Sequence, residues 1–337
     1  MRTLIFTGLT LFSFFLTSCT KLPVQSSFRN EKIVVGLGPE DIVIDSISTL
    51  EPRLLVSCGN RREIYSDSAD GFYAIDLSSE KVIRLTRKNE PAGLVFHPHG
   101  FDAELVEGVP YLYVINHDDA NSKQSVLRYI ITQNEAILDS IINHPLLISP
   151  NDIFVCPDGS FFISNDAGKR GNIWELILRQ RKSSVVYFPV NESPVMVDDN
   201  LRYANGLFFS HDMLYVTNVL DKEIPGYKKT GTAFEKTVVS KEGFKGSDNI
   251  NPYKSGLLIA IHPRFFKFFQ HAKNPLKPSP TLVKYFDLKS GKSEVIFFDS
   301  GKAISTGSTA IIFNNKLYIA QVFEYFILSV DLKSNPQ

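Results

Sequence analysis

The sequence predicts an all-β protein folded as a six-bladed β-propeller with four-stranded blades. Three observations carry that expectation. β-Branched and aromatic residues gather in runs of about four to eight, bounded by Gly, Pro, Asn and Asp, and few stretches hold a helical period. One pattern recurs six times: a polar pair or leader, a short apolar run, a turn-forming break and a second apolar run. Its leaders are Glu40-Asp41, His99-Gly100, Asn151-Asp152, Asn205-Gly206, Asp248-Asn249 and Ser308-Thr309. They lie 59, 52, 54, 43 and 60 positions apart, close to one four-stranded blade per interval. Finally, 337 residues with 43% hydrophobic content suffice for a large core.

In chain order, the first element is a targeting segment over residues 1–19: Arg2, an apolar run over 4–16, then Leu16-Thr17-Ser18-Cys19. The run is short for a membrane span. A small residue before a Cys at its end resembles the lipobox of bacterial lipoproteins. That makes Cys19 the candidate lipid-bearing residue and implies an exported chain, lipid-anchored in the membrane of a bacterial cell envelope or secreted. Residues 20–30 read as a linker and 31–337 as the propeller. Within the blades, Asp76-Leu77, Asp287-Leu288 and Asp331-Leu332 each end a strand in a polar turn, as an outer hairpin does. Residues 171–182 read as a short helix or an elaborated strand, and the Phe- and Lys-rich segment 264–280 as a surface hairpin or lid. Cys58 and Cys156 sit in apolar runs without CxxC spacing, the pattern of buried free thiols and not of a zinc site or disulfide framework.

The 36 basic and 36 acidic residues cancel, so no broad field attracts nucleic acid. There is no GxSxG elbow and no Gly-rich phosphate loop, which argues against a serine or cysteine nucleophile. What remains is the geometry of the repeat. In a propeller the first strand of each blade lines the central channel, so the polar leaders meet although they are scattered in sequence. That gathers Glu40, Asp41, Asn151, Asp152, Asn205, Asp248 and Asn249, a set of oxygen ligands with no thiolate. Such a set suits a hard cation, and its many-oxygen, irregular character favours calcium over magnesium. Taken singly, Asn-Asp, Asp-Asn and Asn-Gly dipeptides are ordinary turn formers. Four such pairs at matched blade positions, with carboxylates that need a counter-charge, point instead to a calcium-binding channel.

The motifs GPEDIVI, FHPHGF, YLYVINHDDANS, NDIFVCPDGSFFISND, ANGLFFS, SDNI, IHP and GSTAIIFNNKLYIAQVF follow one another over residues 38–323. In order and across residues 38–331 they resemble those of the serum paraoxonase (arylesterase) family. The resemblance implies two calcium ions per chain. The catalytic one would be held by Glu40, Asn151, Asn205, Asp248 and Asn249, and a deeper structural one by Asp41, Asp152 and the main-chain carbonyl of Phe101. It also implies that His99 is the proton acceptor with His117 as its partner, and that Tyr203 stands where the family has an aromatic wall residue. The activity implied is hydrolysis of lactones, with aryl esters alongside and organophosphates as a side activity. Three departures stand out. The family closes its ring with a disulfide, which this chain lacks, so closure falls to strand pairing, with residues near Ile33 beside the last blade. Ala167 stands after Asn165-Asp166 where the family usually has a histidine, and the segment 60–70 is more charged here.

The chemistry makes sense on its own terms. A cation with an open position polarises an ester or lactone carbonyl, while an imidazole takes a proton from the attacking water. His99 is the expected base, His117 its orienting partner, and His262 of Ile-His-Pro a candidate for lining the substrate pocket. Two other functions compete: a single-metal, gluconolactonase-like lactonase, and a non-catalytic binding propeller that uses calcium only as a staple.

Overall fold

The computed structural model describes residues 22–62, 70–241 and 243–333, so Cys19 lies outside the described residues. Strands dominate, and they fall into six antiparallel sheets arranged as a six-bladed β-propeller. The inner strands are Pro39–Asp45, Pro98–Val106, Pro150–Val155, Ala204–Ser210, Ser247–Tyr253 and Gly307–Phe313, in blades 1 to 6. Each pairs with the strand that follows it, and each packs against the inner strands of the two neighbouring blades, closing a ring. Blade 2 carries one extra outer strand, Thr86–Lys88, which runs parallel to its fourth strand.

The hydrophobic residues explain why the sheets stack face to face. Six core clusters form, each from two adjacent blades: Leu55 and Phe72 of blade 1 meet Leu112 and Tyr129 of blade 2, and Leu258 of blade 5 meets Ile319 and Leu328 of blade 6. The core is therefore six inter-blade layers built from alternating inward residues, not one central mass. Ring closure follows the sequence expectation. Strand Asn30–Val34 pairs antiparallel with Phe326–Asp331, with Ile33 opposite Ile327, so the N-terminal strand completes the last blade. The described cysteines, Cys58 and Cys156, are buried free thiols.

The segments outside the blade strands take definite form. The segment read as a linker is docked: Ser26 and Phe298 exchange hydrogen bonds of 2.9 Å, and Gln25 Nε2 donates to Asp299 at 2.7 Å. The segment 264–280 is not a hairpin. Phe265, Phe268 and Phe269 repeat at helical spacing between Pro263 and Pro275, and Phe265–Lys273 forms a helix. The 171–182 segment takes the first of its two expected forms, a short helix over Ile173–Ile177.

Carboxylates lock the inner strands blade to blade. Asp41 of blade 1 accepts the Phe101 N–H at 3.1 Å, Asp102 of blade 2 accepts the Val155 N–H at 2.8 Å, and Asp152 of blade 3 accepts the Leu207 N–H at 2.7 Å. Such close approach needs small residues at the crossings. A Cβ on Gly100 would lie 2.4 Å from the Asn151 carbonyl oxygen, and one on Gly206 only 2.7 Å from Asn249 Cα.

Candidate active site

Every inner strand begins with a break in register against its second strand, between Pro39 and Asp41, Pro98 and Phe101, Pro150 and Asp152, Ala204 and Leu207, Ser247 and Ile250, and Gly307 and Ala310. A bulge interrupts the ladder and re-aims the side chains beside it. The six breaks coincide with the polar leaders found in the sequence. Glu40, Asp41, Asn151, Asp152, Asn205, Asp248 and Asn249 are all buried there.

Their electrostatics are unbalanced by protein alone. Burial pushes Glu40 and Asp152 well above the usual carboxylate range, and Asp41 up to about 7. Glu40 Oε2, Asn151 Oδ1, Asn205 Oδ1 and Asn249 Oδ1 are buried with no hydrogen-bond partner. Buried acceptors are ordinarily satisfied, so four orphans on one ring of strands need an answer, and hard oxygen atoms of this kind suit calcium. Asp41 and Asp152 differ. Asp41 accepts from the backbone of Ile42 and Phe101 and from the Thr309 hydroxyl, and Asp152 from the backbone of Ile153 and Leu207. The fit to a cation is thus stronger for the set around Glu40 than for the Asp41–Asp152 pair. Phe101 itself is buried in the layer between blades 1 and 2. Among the described residues no three His, Cys, Asp or Glu side chains form a metal-holding group, so amide oxygens must complete any shell.

His99 and His117 do come together, with ring centroids 5.0 Å apart at 71°. His99 Nε2 lies 3.9 Å from Glu40 Oε2, while its Nδ1 is 3.0 Å from Arg61 Nη2. A guanidinium only donates, so neutral His99 here has its lone pair on Nδ1 and its proton on Nε2. Burial, and then the Arg61 charge, hold His99 well below the usual imidazole range; burial and Arg170 do the same to His117. His117 Nδ1 hydrogen-bonds Gln124 Oε1, and its Nε2 is buried without a partner.

His262 supports the metal candidates directly: its Nε2 donates to Asp248 Oδ2 at 2.7 Å, and its ring packs 4.8 Å from that of Phe268. Tyr203 sits in the left-handed region at φ 60° just before the blade 4 inner strand, and burial pushes its phenol well above the usual range. It borders a cleft of about 1220 Å³ that also takes in Gln124, His144, Asp166, Arg170 and Phe269.

With this geometry in place, comparison with known proteins is decisive at one point: the arylesterase family model matches residues 62–330. The chain belongs to the arylesterase family. Among curated relatives of this chain, serum paraoxonase/arylesterase 1 of Rattus norvegicus is 27% identical over 237 residues, 68% of this chain and 66% of that protein, just under two thirds of its length. Serum paraoxonase/arylesterase 2 of Gallus gallus is 24% identical over 272 residues, 76% and 75% of the two chains. Serum paraoxonase/lactonase 3 of Homo sapiens is 25% identical over 240 residues, 68% and 67%. Two solved structures share the fold: a putative gluconolactonase (TM-score 0.56, 13% identity, covering 91% and 92%) and a PQQ-bound aldose sugar dehydrogenase from Streptomyces coelicolor (0.54, 10%, 91% and 100%). Their differing titles show that the fold alone does not select a chemistry.

The family member also carries residues that sequence reasoning missed. Arg61 and Arg62 follow the second strand of blade 1. Arg62 binds Glu324 at 2.7 Å and donates to the His271 carbonyl at 2.9 Å, on the last turn of helix Phe265–Lys273, and this anchor positions Arg61 beside His99. The extra charge noted in 60–70 was the available signal. Gln124 had one too: it faces His117 across the hairpin of blade 2, a pairing that strand register predicts.

Proposed function

We propose that the chain is a calcium-dependent hydrolase of lactones and aryl esters. The observation that carries this reading is the ring of partnerless oxygens on Glu40, Asn151, Asn205 and Asn249 with the imidazole of His99 beside Glu40. Membership of the arylesterase family and the names of its paraoxonase and lactonase relatives support it. Those four residues and Asp248 would hold the catalytic ion, with Asp41, Asp152 and the Phe101 carbonyl holding a second, structural one. A bound calcium supplies Lewis-acid polarisation of the substrate carbonyl and stabilises the charge that develops on its oxygen.

The protein's own residues handle the proton. Its lowered pKa keeps His99 neutral at neutral pH, so it is available as a base. To accept water's proton on Nε2, His99 must carry its own proton on Nδ1, which requires Arg61 to give up that nitrogen. The Nδ1–H then needs an acceptor, and the free lone pair on His117 Nε2 is the one at hand. Asp248 is a weaker candidate for base or nucleophile, since His262 already occupies its Oδ2. Tyr203 and the adjoining cleft give the substrate's acyl part a place to lie. The expected test result is that His99→Gln binds calcium like the wild type but loses roughly 100-fold or more in kcat; full activity in that variant contradicts the assignment. The reading extends to export and lipid attachment at Cys19, checked by radiolabelled fatty-acid incorporation that Cys19→Ala abolishes.

A further inference from the structure

We infer that Arg170, Asp119 and Gln124 are positioning residues that set the tautomer of His117, fixing its proton on Nδ1 and its lone pair on Nε2. The inference rests on the hydrolase reading above, in which that lone pair receives the Nδ1–H of His99.

The case follows from which groups can only donate and which can only accept. Arg170 is a pure donor, and it grips Asp119 with both sides of its fork: Nε to Oδ1 at 2.9 Å and Nη2 to Oδ2 at 3.2 Å. This ion pair holds the Asp119 carboxyl down at about 2, so it stays ionised and can only accept. Asp119 Oδ1 therefore takes the amide N–H of Gln124, at 3.1 Å. A primary amide that points its nitrogen at Asp119 must point its oxygen the other way, and Gln124 Oε1 meets His117 Nδ1. An amide oxygen only accepts, so the proton of neutral His117 is on Nδ1. Nothing among the described residues competes for Nε2.

The fold makes the chain of contacts possible. His117 and Gln124 face each other in register on adjacent strands of blade 2, and Asp119 lies in the 3-10 turn that links those strands. Arg170 comes from blade 3, on the segment between its second and third strands. Asp119, Gln124 and Arg170 all border the cleft next to Tyr203, so the relay runs from the substrate side of the molecule to the buried histidine pair. It is also more than packing: the tautomer is set by the acceptor that the last side chain presents to His117 Nδ1.

The test uses the full chain, loaded with calcium and labelled with ¹⁵N-histidine, with His117 assigned by its loss in His117→Gln. The wild type is expected to show a protonated Nδ1 and a bare Nε2 at His117. Gln124→Leu removes the acceptor; it should scramble the tautomer and lower kcat roughly 10- to 100-fold. The double variant Asp119→Asn/Gln124→Glu reverses the donor between the two side chains but again offers His117 an acceptor. It should restore the Nδ1–H signature and most of kcat, which a merely structural role does not predict. A wild-type His117 protonated on Nε2, or a Gln124→Leu variant with unchanged tautomer and kcat, overturns the inference. If the wild type hydrolyses no ester or lactone, the hydrolase reading fails, and the His117 signature still decides this one.

Discussion

Replacing Asn205 with Leu should stabilise the metal-free protein and weaken its response to calcium. Asn205 is 4% exposed, and its Oδ1 has no partner. A buried acceptor left unsatisfied costs roughly 1–3 kcal/mol, and an apolar side chain of similar size removes that cost. For 337 residues the unfolding entropy is about 0.7 kcal/mol per degree, so the midpoint in EDTA should rise by about 1.5–4 °C. In calcium the sign reverses. At about a thousand times its Kd a ligand adds about 4 kcal/mol to the wild type, a shift of about 6 °C, most of which the variant forfeits with its missing ligand. Differential scanning calorimetry in EDTA and in millimolar calcium reads both arms. A variant that melts below the wild type in EDTA, or gains as much from calcium, refutes the reasoning.

Three further outcomes follow. His262→Gln, which weakens the hold on Asp248, should reduce calcium affinity roughly 10- to 100-fold by titration calorimetry, and an unchanged affinity contradicts its supporting role. Gly100→Ala forces a methyl group into the Asn151 carbonyl and should lower stability by about 1–3 kcal/mol or more in urea; a neutral effect contradicts the close approach of blades 2 and 3. Because Asn30–Val34 closes the ring by strand pairing and the described cysteines are free, a thiol reductant should leave the melting midpoint unchanged.

The fold was legible because propeller blades repeat, and the repeat carries its polar leader at one position. Glu40, Asn151, Asn205 and Asp248 occupy equivalent places on four inner strands, so the spacing of the repeat marks the buried ring. Ring closure by the N-terminal strand was readable for the same reason. The helix Phe265–Lys273 was not, because its Phe residues at positions 265, 268 and 269 give little more than one turn of periodicity in a Lys-rich segment. Hydrogen-bond polarity also stays hidden in sequence. His262 reaches Asp248 from the end of the adjacent strand of the same blade, whereas Arg61 reaches His99 from the loop after the second strand of the neighbouring blade. Orphaned oxygens are a property of packing: an Asn-Gly pair in a turn and one in a buried ring read alike until the neighbours are placed.

A hydrolase of the kind proposed needs its channel cation. The most direct measurement is the initial rate on an aliphatic γ- or δ-lactone, an acyl-homoserine lactone and phenyl acetate, with calcium and again after EDTA. Turnover is expected with calcium, fastest on the lactones, abolished by EDTA and restored by added calcium. A folded, calcium-binding protein that turns over none of the three would contradict it and leave the channel as the staple of a binding propeller.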